Sequence, residues 1–162
     1  MADYFAQAVV HEDFPADKLT ERDQLLLGAF GFEVHDDGNG SFNLTCEEGW
    51  QDELDADQLA DDFDPDEVDE ILGEAECLGI FDYLQGLMGR CGMPVITMEI
   101  AFTCSKMRLD GFGGAGYVIT PDAVHSMSTA EWIEKKLDEL GLLTPSPADA
   151  AALALMGEAA DA

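Results

Sequence analysis

Residues 95–103 read Val-Ile-Thr-Met-Glu-Ile-Ala-Phe-Thr. This run, rich in β-branched residues, is the clearest strand in the chain. Downstream, the glycine-rich stretch 111–116 is expected to be a flexible hairpin loop. It leads into a short strand, Tyr117-Val118-Ile119-Thr120, and Pro121-Asp122 turns the chain. Ser128 and Glu131 stand at capping-box spacing. Trp132, Ile133, Leu137 and Leu140 give the next helix its apolar stripe, and Gly141 ends it. Ser146-Pro147 opens a last, Ala-rich helix over about 147–157.

Upstream, residues 81–88 form an apolar helical pattern stopped by Gly89 and Gly92. Asp64-Pro65-Asp66-Glu67 starts the helix before it: Asp64 caps, Pro65 suits the first position and Glu67 completes a capping box. Val68, Ile71, Leu72, Ala75 and Leu78 then share one helical face, which Gly79 interrupts. Residues 52–60 fit a short acidic helix presenting Leu54 and Leu59. Phe32-Glu33-Val34 and Phe42 to Cys46 alternate apolar and polar residues around Asp36-Asp37-Gly38-Asn39-Gly40, a hairpin signal. Thr20 and Asp23 form a capping box before an apolar helix, Gln24 to Phe30, with Gly31 as its stop. Residues 3–11 form a first strand ended by Pro15. The sum is an α+β fold. It is a small antiparallel sheet with hairpins, packed by several short helices on one face, with an acidic helical segment in the middle. One domain is expected over 1–144, its acidic segment at 33–82, followed by an Ala-rich C-terminal helix or tail at 145–162.

The chain has 162 residues, 35 Asp and Glu against 7 Lys and Arg, and a net charge of −28. Self-repulsion on that scale opposes compaction. It excludes nucleic-acid binding through a basic face, because too few cations are present to neutralise phosphates. It disfavours an anionic membrane as well. No run reaches the roughly 18 apolar residues of a membrane span, and the N-terminus lacks a signal-peptide pattern, so a cytoplasmic protein is expected.

The acid is segregated. Residues 1–22 carry net −3, residues 23–89 carry −20 with no Lys or Arg, and residues 90–162 carry −5. Fifteen acids fall between Glu47 and Glu76. Ordinary solvated surfaces interleave both signs. The candidate partner-binding residues are therefore Glu47, Glu48, Asp52, Glu53, Asp55, Asp57, Asp61, Asp62, Asp66, Asp69, Glu70, Glu74 and Glu76. Asp64 and Glu67 are assigned to helix capping instead. Trp50, beside the densest acid, reads first as a core anchor and second as an aromatic interface contact.

Other motifs carry little. Gly111-Phe112-Gly113-Gly114-Ala115-Gly116 has the letters of a phosphate loop, but a strand and Pro121 follow where a helix is required. Asp37-x-Asn39-x-Ser41-x-Asn43 with Glu48 imitates a calcium loop, but Phe42 occupies the glycine position. Asp62-x-Asp64-x-Asp66 fails with Gly73 at its last ligand position. Cys46, Cys77, Cys91 and Cys104 are widely spaced and read as reduced thiols. With His11, His35 and His125 they make no zinc pattern. Cys104 lies near Lys106 and Arg108, which would lower its pKa, but an edge-of-strand structural role is the simpler reading. No serine sits in a nucleophile context, and no carboxylate pair is set apart as a general acid. Neither a cofactor nor a specific metal site is expected, only weak, non-specific divalent-ion binding by the acidic cluster, and no enzyme.

Three uses of the acid compete. Duplex DNA carries one charge per about 1.7 Å of axis, so fifteen carboxylates imitate about 25 Å, or roughly seven base pairs. In size, low pI and segregated acid the chain resembles the acidic anti-defence proteins of phages and mobile elements, the anti-restriction and anti-CRISPR DNA mimics. The resemblance is compositional and covers mainly residues 33–82. It implies an inhibitor that occupies the DNA site of a restriction enzyme or CRISPR effector. Its partner would be a basic DNA-binding protein or nucleoprotein complex, with no direct binding of nucleic acid. The alternatives are an acidic adaptor for a basic protein, and halophilic adaptation, which would spread the acid evenly.

Overall fold

The computed structural model describes residues 4–106 and 112–142. Asp3, Arg108, Gly111 and the Ala-rich helix at 147–157 lie outside the described residues. The chain divides into two compact units, residues 1–128 and 129–162.

In the first unit, β1 (Tyr4–Val10) pairs antiparallel with β7 (Ile96–Cys104) over its whole length, from Tyr4 opposite Cys104 to Val10 opposite Met98. β7 pairs with β8 (Gly113–Thr120), and β8 with β9 (Ala123–Ser128) through the Pro121-Asp122 turn. On the other side β1 pairs with β4 (Ser41–Cys46), which also takes β2 (Phe14–Pro15) on the same edge and β3 (Glu33–Asp36) on its far edge. The result is a seven-stranded antiparallel sheet bounded by β3 and β9. With five helices among the described residues, the fold is α+β.

Alternation along each strand sends Ala8, Val10, Leu44, Cys46, Ile96, Met98, Ile100 and Ile119 into one core. Helix α1 (Glu21–Ala29) contributes Leu26 and Leu27, and α4 (Ile80–Cys91) contributes Ile80, Leu84, Leu87 and Met88. Gln85 donates from Nε2 to the Thr120 carbonyl at 2.6 Å and ties α4 to β8. Phe5, Gln7, Val9, Glu99, Ala101 and Val118 point to the opposite, exposed face.

Several elements depart from the sequence expectations. Residues 53–55 are not helical. They form β5 (Glu53–Asp55), paired with β6 (Cys77–Gly79), so that Leu54 lies opposite Leu78. Only α2 (Ala56–Leu59) remains of the expected acidic helix. Helix α3 (Pro65–Leu72) stops at Gly73, which takes φ +60, so Leu78 belongs to a strand rather than to the α3 face. Cross-strand pairing of a buried leucine outweighs helical spacing here. Helix α4 passes through Gly86 and Gly89 and ends only at Gly92, in the left-handed conformation. Residues 113–116, expected in a flexible loop, are the first half of β8. A ladder needs only backbone groups, and glycine supplies them. The edge strand β9 had no sequence signal. Pro15, expected only to end a strand, forms one with Phe14.

In the second unit, α5 (Thr129–Glu139) closes with Leu142 donating its N–H to Leu137 and Gly141 donating to Asp138. Its apolar stripe is exposed, with Trp132 at 54% and Leu140 at 62%.

Candidate functional site

Residues 52–79 form a module closed at its base, where β5 meets β6 and Ile80 donates to the Asp52 carbonyl at 2.9 Å. Two capping boxes organise it. Asp55 accepts from the Gln58 N–H while the Gln58 side chain accepts from the Asp55 N–H, both at 2.9 Å. Asp64 and Glu67 do the same at 2.9 and 3.1 Å, as their spacing predicts. Leu54, Leu59, Phe63 and Val68 turn inward and are buried in the core. Each such burial contributes about 1.5–3 kcal/mol. Four apolar anchors thus hold the segment against its own repulsion.

All fifteen acids from Glu47 to Glu76 are exposed. Most are unengaged: the carboxylates of Glu47, Glu48, Asp52, Asp57, Asp61, Asp62, Asp66, Asp69, Glu74 and Glu76 make no hydrogen bond or ion pair among the described residues. Three of the thirteen predicted partner-binding residues have internal roles. Asp55 is a helix cap. Glu53 hydrogen-bonds the Cys77 thiol and, before burial and other nearby acids, pushes its pKa up. Glu70 accepts from Arg22 Nη1 at 2.8 Å, a bond that raises the Arg22 pKa and clips α3 to α1.

Trp50 is half-buried at the foot of the module. Its ring stands edge-on to Phe32, Phe81 and Tyr117, with centroids 6.2, 5.5 and 6.1 Å away. It is an anchor, the first of its two sequence readings. The loop before it is pressed close to the end of α1. Gly31 has φ +96, and a Cβ there would meet the Gly49 carbonyl oxygen at 2.6 Å. Only glycine fits.

A second cluster lies behind α3. Among the described residues Asp23, 5% exposed, is the buried charged one. Its Oδ2 accepts from the Thr20 N–H at 2.9 Å and hydroxyl at 2.7 Å. Its Oδ1 accepts from Tyr83 at 2.7 Å and from Arg90. Burial pushes the Asp23 carboxyl up, but the bonds from Tyr83 and Thr20 and the Arg90 charge together outweigh it and hold it below the ordinary range. Burial, then Asp23, push the Tyr83 hydroxyl up. A cavity of about 400 Å³ adjoins the cluster, with Leu26, Ile71 and Leu78 as its apolar wall. Every lone pair suited to take a proton is already engaged, so the cluster reads as a fastener of α1 to α4 rather than an acid–base pair. Local spacing marks Asp23 only as a cap; Tyr83 and Arg90, 60 and 67 positions away, carried no signal.

The apparent calcium loop is a hairpin tip. Asp37 Oδ1 accepts from the backbone of Asn39 at 2.7 Å and of Ser41 at 3.1 Å, and these bonds lower its pKa. Among the described residues no three His, Cys, Asp or Glu side chains converge on a metal position. Cys46 and Cys104 are buried thiols. No described helix is long and apolar enough to cross a membrane. No protein-family model, curated protein or solved structure matches this chain.

Proposed function

We propose that the protein is a non-enzymatic inhibitor whose acidic module stands in for DNA in the binding groove of a defence nucleoprotein, a restriction enzyme or CRISPR effector. One observation carries the reading. Fifteen exposed carboxylates sit on a segment pinned by four buried apolar side chains. Fixed anions are what a groove built for phosphates recognises, whereas a mobile acidic tail would lose ordering entropy on docking. Among the described residues Arg22 is the one cation that engages the segment, at its border through Glu70.

The test is competition. Purified protein is titrated into a restriction enzyme or CRISPR effector with its labelled target duplex, at about 0.05 and 0.5 M salt. Displacement of DNA that weakens with salt is expected, because charge steers the encounter. A gel shift of duplex DNA by the protein alone, with sub-micromolar affinity, would refute the reading. A basic partner that binds the module without losing its DNA would favour the adaptor alternative.

A further inference from the structure

Among the described residues, the two edges of the sheet differ in a way the acidic module does not explain. An edge strand presents a row of backbone donors and acceptors to any strand that can reach it, and proteins blunt such edges with charge, proline or bulges. β3 is blunted: Glu33, His35 and Asp36 lie along four residues. β9 is not. Ala-Val-His-Ser-Met-Ser has no Asp, Glu, Lys, Arg or Pro. Val124 and Met127 are exposed on it, as is Val118 on the neighbouring strand. From Gly113 to Ala130 the chain carries one charged residue, Asp122.

We infer that β9 is a self-association edge, on which β9 of a second copy adds antiparallel across a two-fold axis and continues the sheet. Charge selects this occupant. A cationic partner is drawn to the acid at 47–76 and finds nothing to attract it here. A second copy carries −28 of its own, and an uncharged edge is where two such chains approach with least repulsion. A strand paired with its own copy about a two-fold is isologous, and β9 brings no like charges into opposition. His125 and Met127 share the sheet face with Val118, so cross-strand contacts there involve no Asp, Glu, Lys or Arg.

The inference stands independently of the DNA-mimic reading, and salt separates the two. Salt weakens attraction between the module and a basic partner. It screens repulsion between two copies, so self-association should strengthen.

Sedimentation equilibrium from about 1 µM to about 500 µM is the measurement. Twice the 17.5 kDa chain mass is expected at the upper end, with affinity at least about threefold higher at 0.5 M than at 0.05 M salt. Val124→Lys and Met127→Lys should each weaken association by about tenfold or more, and His35→Lys on β3 should leave it unchanged. On the unaltered chain, amide exchange along β9 should slow as concentration rises, so a variant that misfolds does not decide the matter. A mass that stays at the monomer value overturns the inference. So does a dimer whose β9 amides exchange as in dilute solution.

Discussion

Two carboxylate environments in this protein obey opposite rules. Asp23 is buried and holds four donors around two oxygens. The acids of the 47–76 segment are exposed, and most have no internal partner. A buried carboxylate is tolerated when it is saturated, and it then fastens the elements that saturate it. An exposed carboxylate without a partner does nothing for the fold and opposes it through repulsion. Charge that the fold does not use is charge held available for something else.

The comparison breaks most visibly at Asp23. Asp23→Ala leaves the buried Tyr83 hydroxyl without its acceptor and undoes the cap at Thr20, and should cost about 2–4 kcal/mol in urea unfolding. Its acid response follows from the same bonds. The folded Asp23 pKa lies below the ordinary 3.8. Its contribution is therefore complete above that value and is lost as pH falls through the folded pKa. Wild type should lose this increment in acid titrations of stability below about pH 4, and Asp23→Ala should not.

Charge reversal of the module tests the other side. Changing Asp61, Asp62, Asp66 and Asp69 together to Lys should weaken partner binding by about a hundredfold or more, about 2.7 kcal/mol. Thermal stability should hold or rise as repulsion falls. Asp13, Asp122, Glu134 and Asp138, also exposed, form the matched control and should change binding by less than about threefold. Equal losses from both sets would make net charge the cause and would favour an even, halophile-like role for the acid.

Gly31→Ala should cost about 1–3 kcal/mol, through its positive φ and the crowding at Gly49, without touching either carboxylate class. Arg22→Ala is the mildest change. Glu70 is exposed and Arg22 partly so, and a pair this open to water should move thermal unfolding by less than about 1 kcal/mol. The freed Glu70 adds one available carboxylate, and binding should hold or improve.

Local chemistry made much of the fold legible. Thr20 with Asp23, Asp64-Pro65 with Glu67, and the Asp36–Gly40 turn all stand where their residues place them. So does the strand at 95–103, within a residue. What escaped depends on partners distant in sequence. The three-residue strands β5 and β6 are too short for any period, and Leu78 happens to continue the α3 spacing. β9 has serines and a histidine where a strand would show apolar alternation. The glycines of β8 are strand only because β7 lies beside them. Of the candidate site, the exposure of the acids was legible from composition. The engagement of Glu70, Glu53 and Asp55 depended on geometry that composition does not carry.

The pairing of β1 with β7 also imposes an order in time. Tyr4 finds its place opposite Cys104, roughly a hundred residues later. A ribosome adding about 5–20 residues per second makes β1 wait about 5–20 s for its neighbour. In that interval the capped helices and the whole acidic module emerge, with their leucines not yet covered by a finished sheet. The loop that must then close holds most of the negative charge, and contacts this remote in sequence form slowly. Refolding should therefore quicken as salt is added, and a chain stopped before residue 96 should lack the central strand around which its first strand is organised.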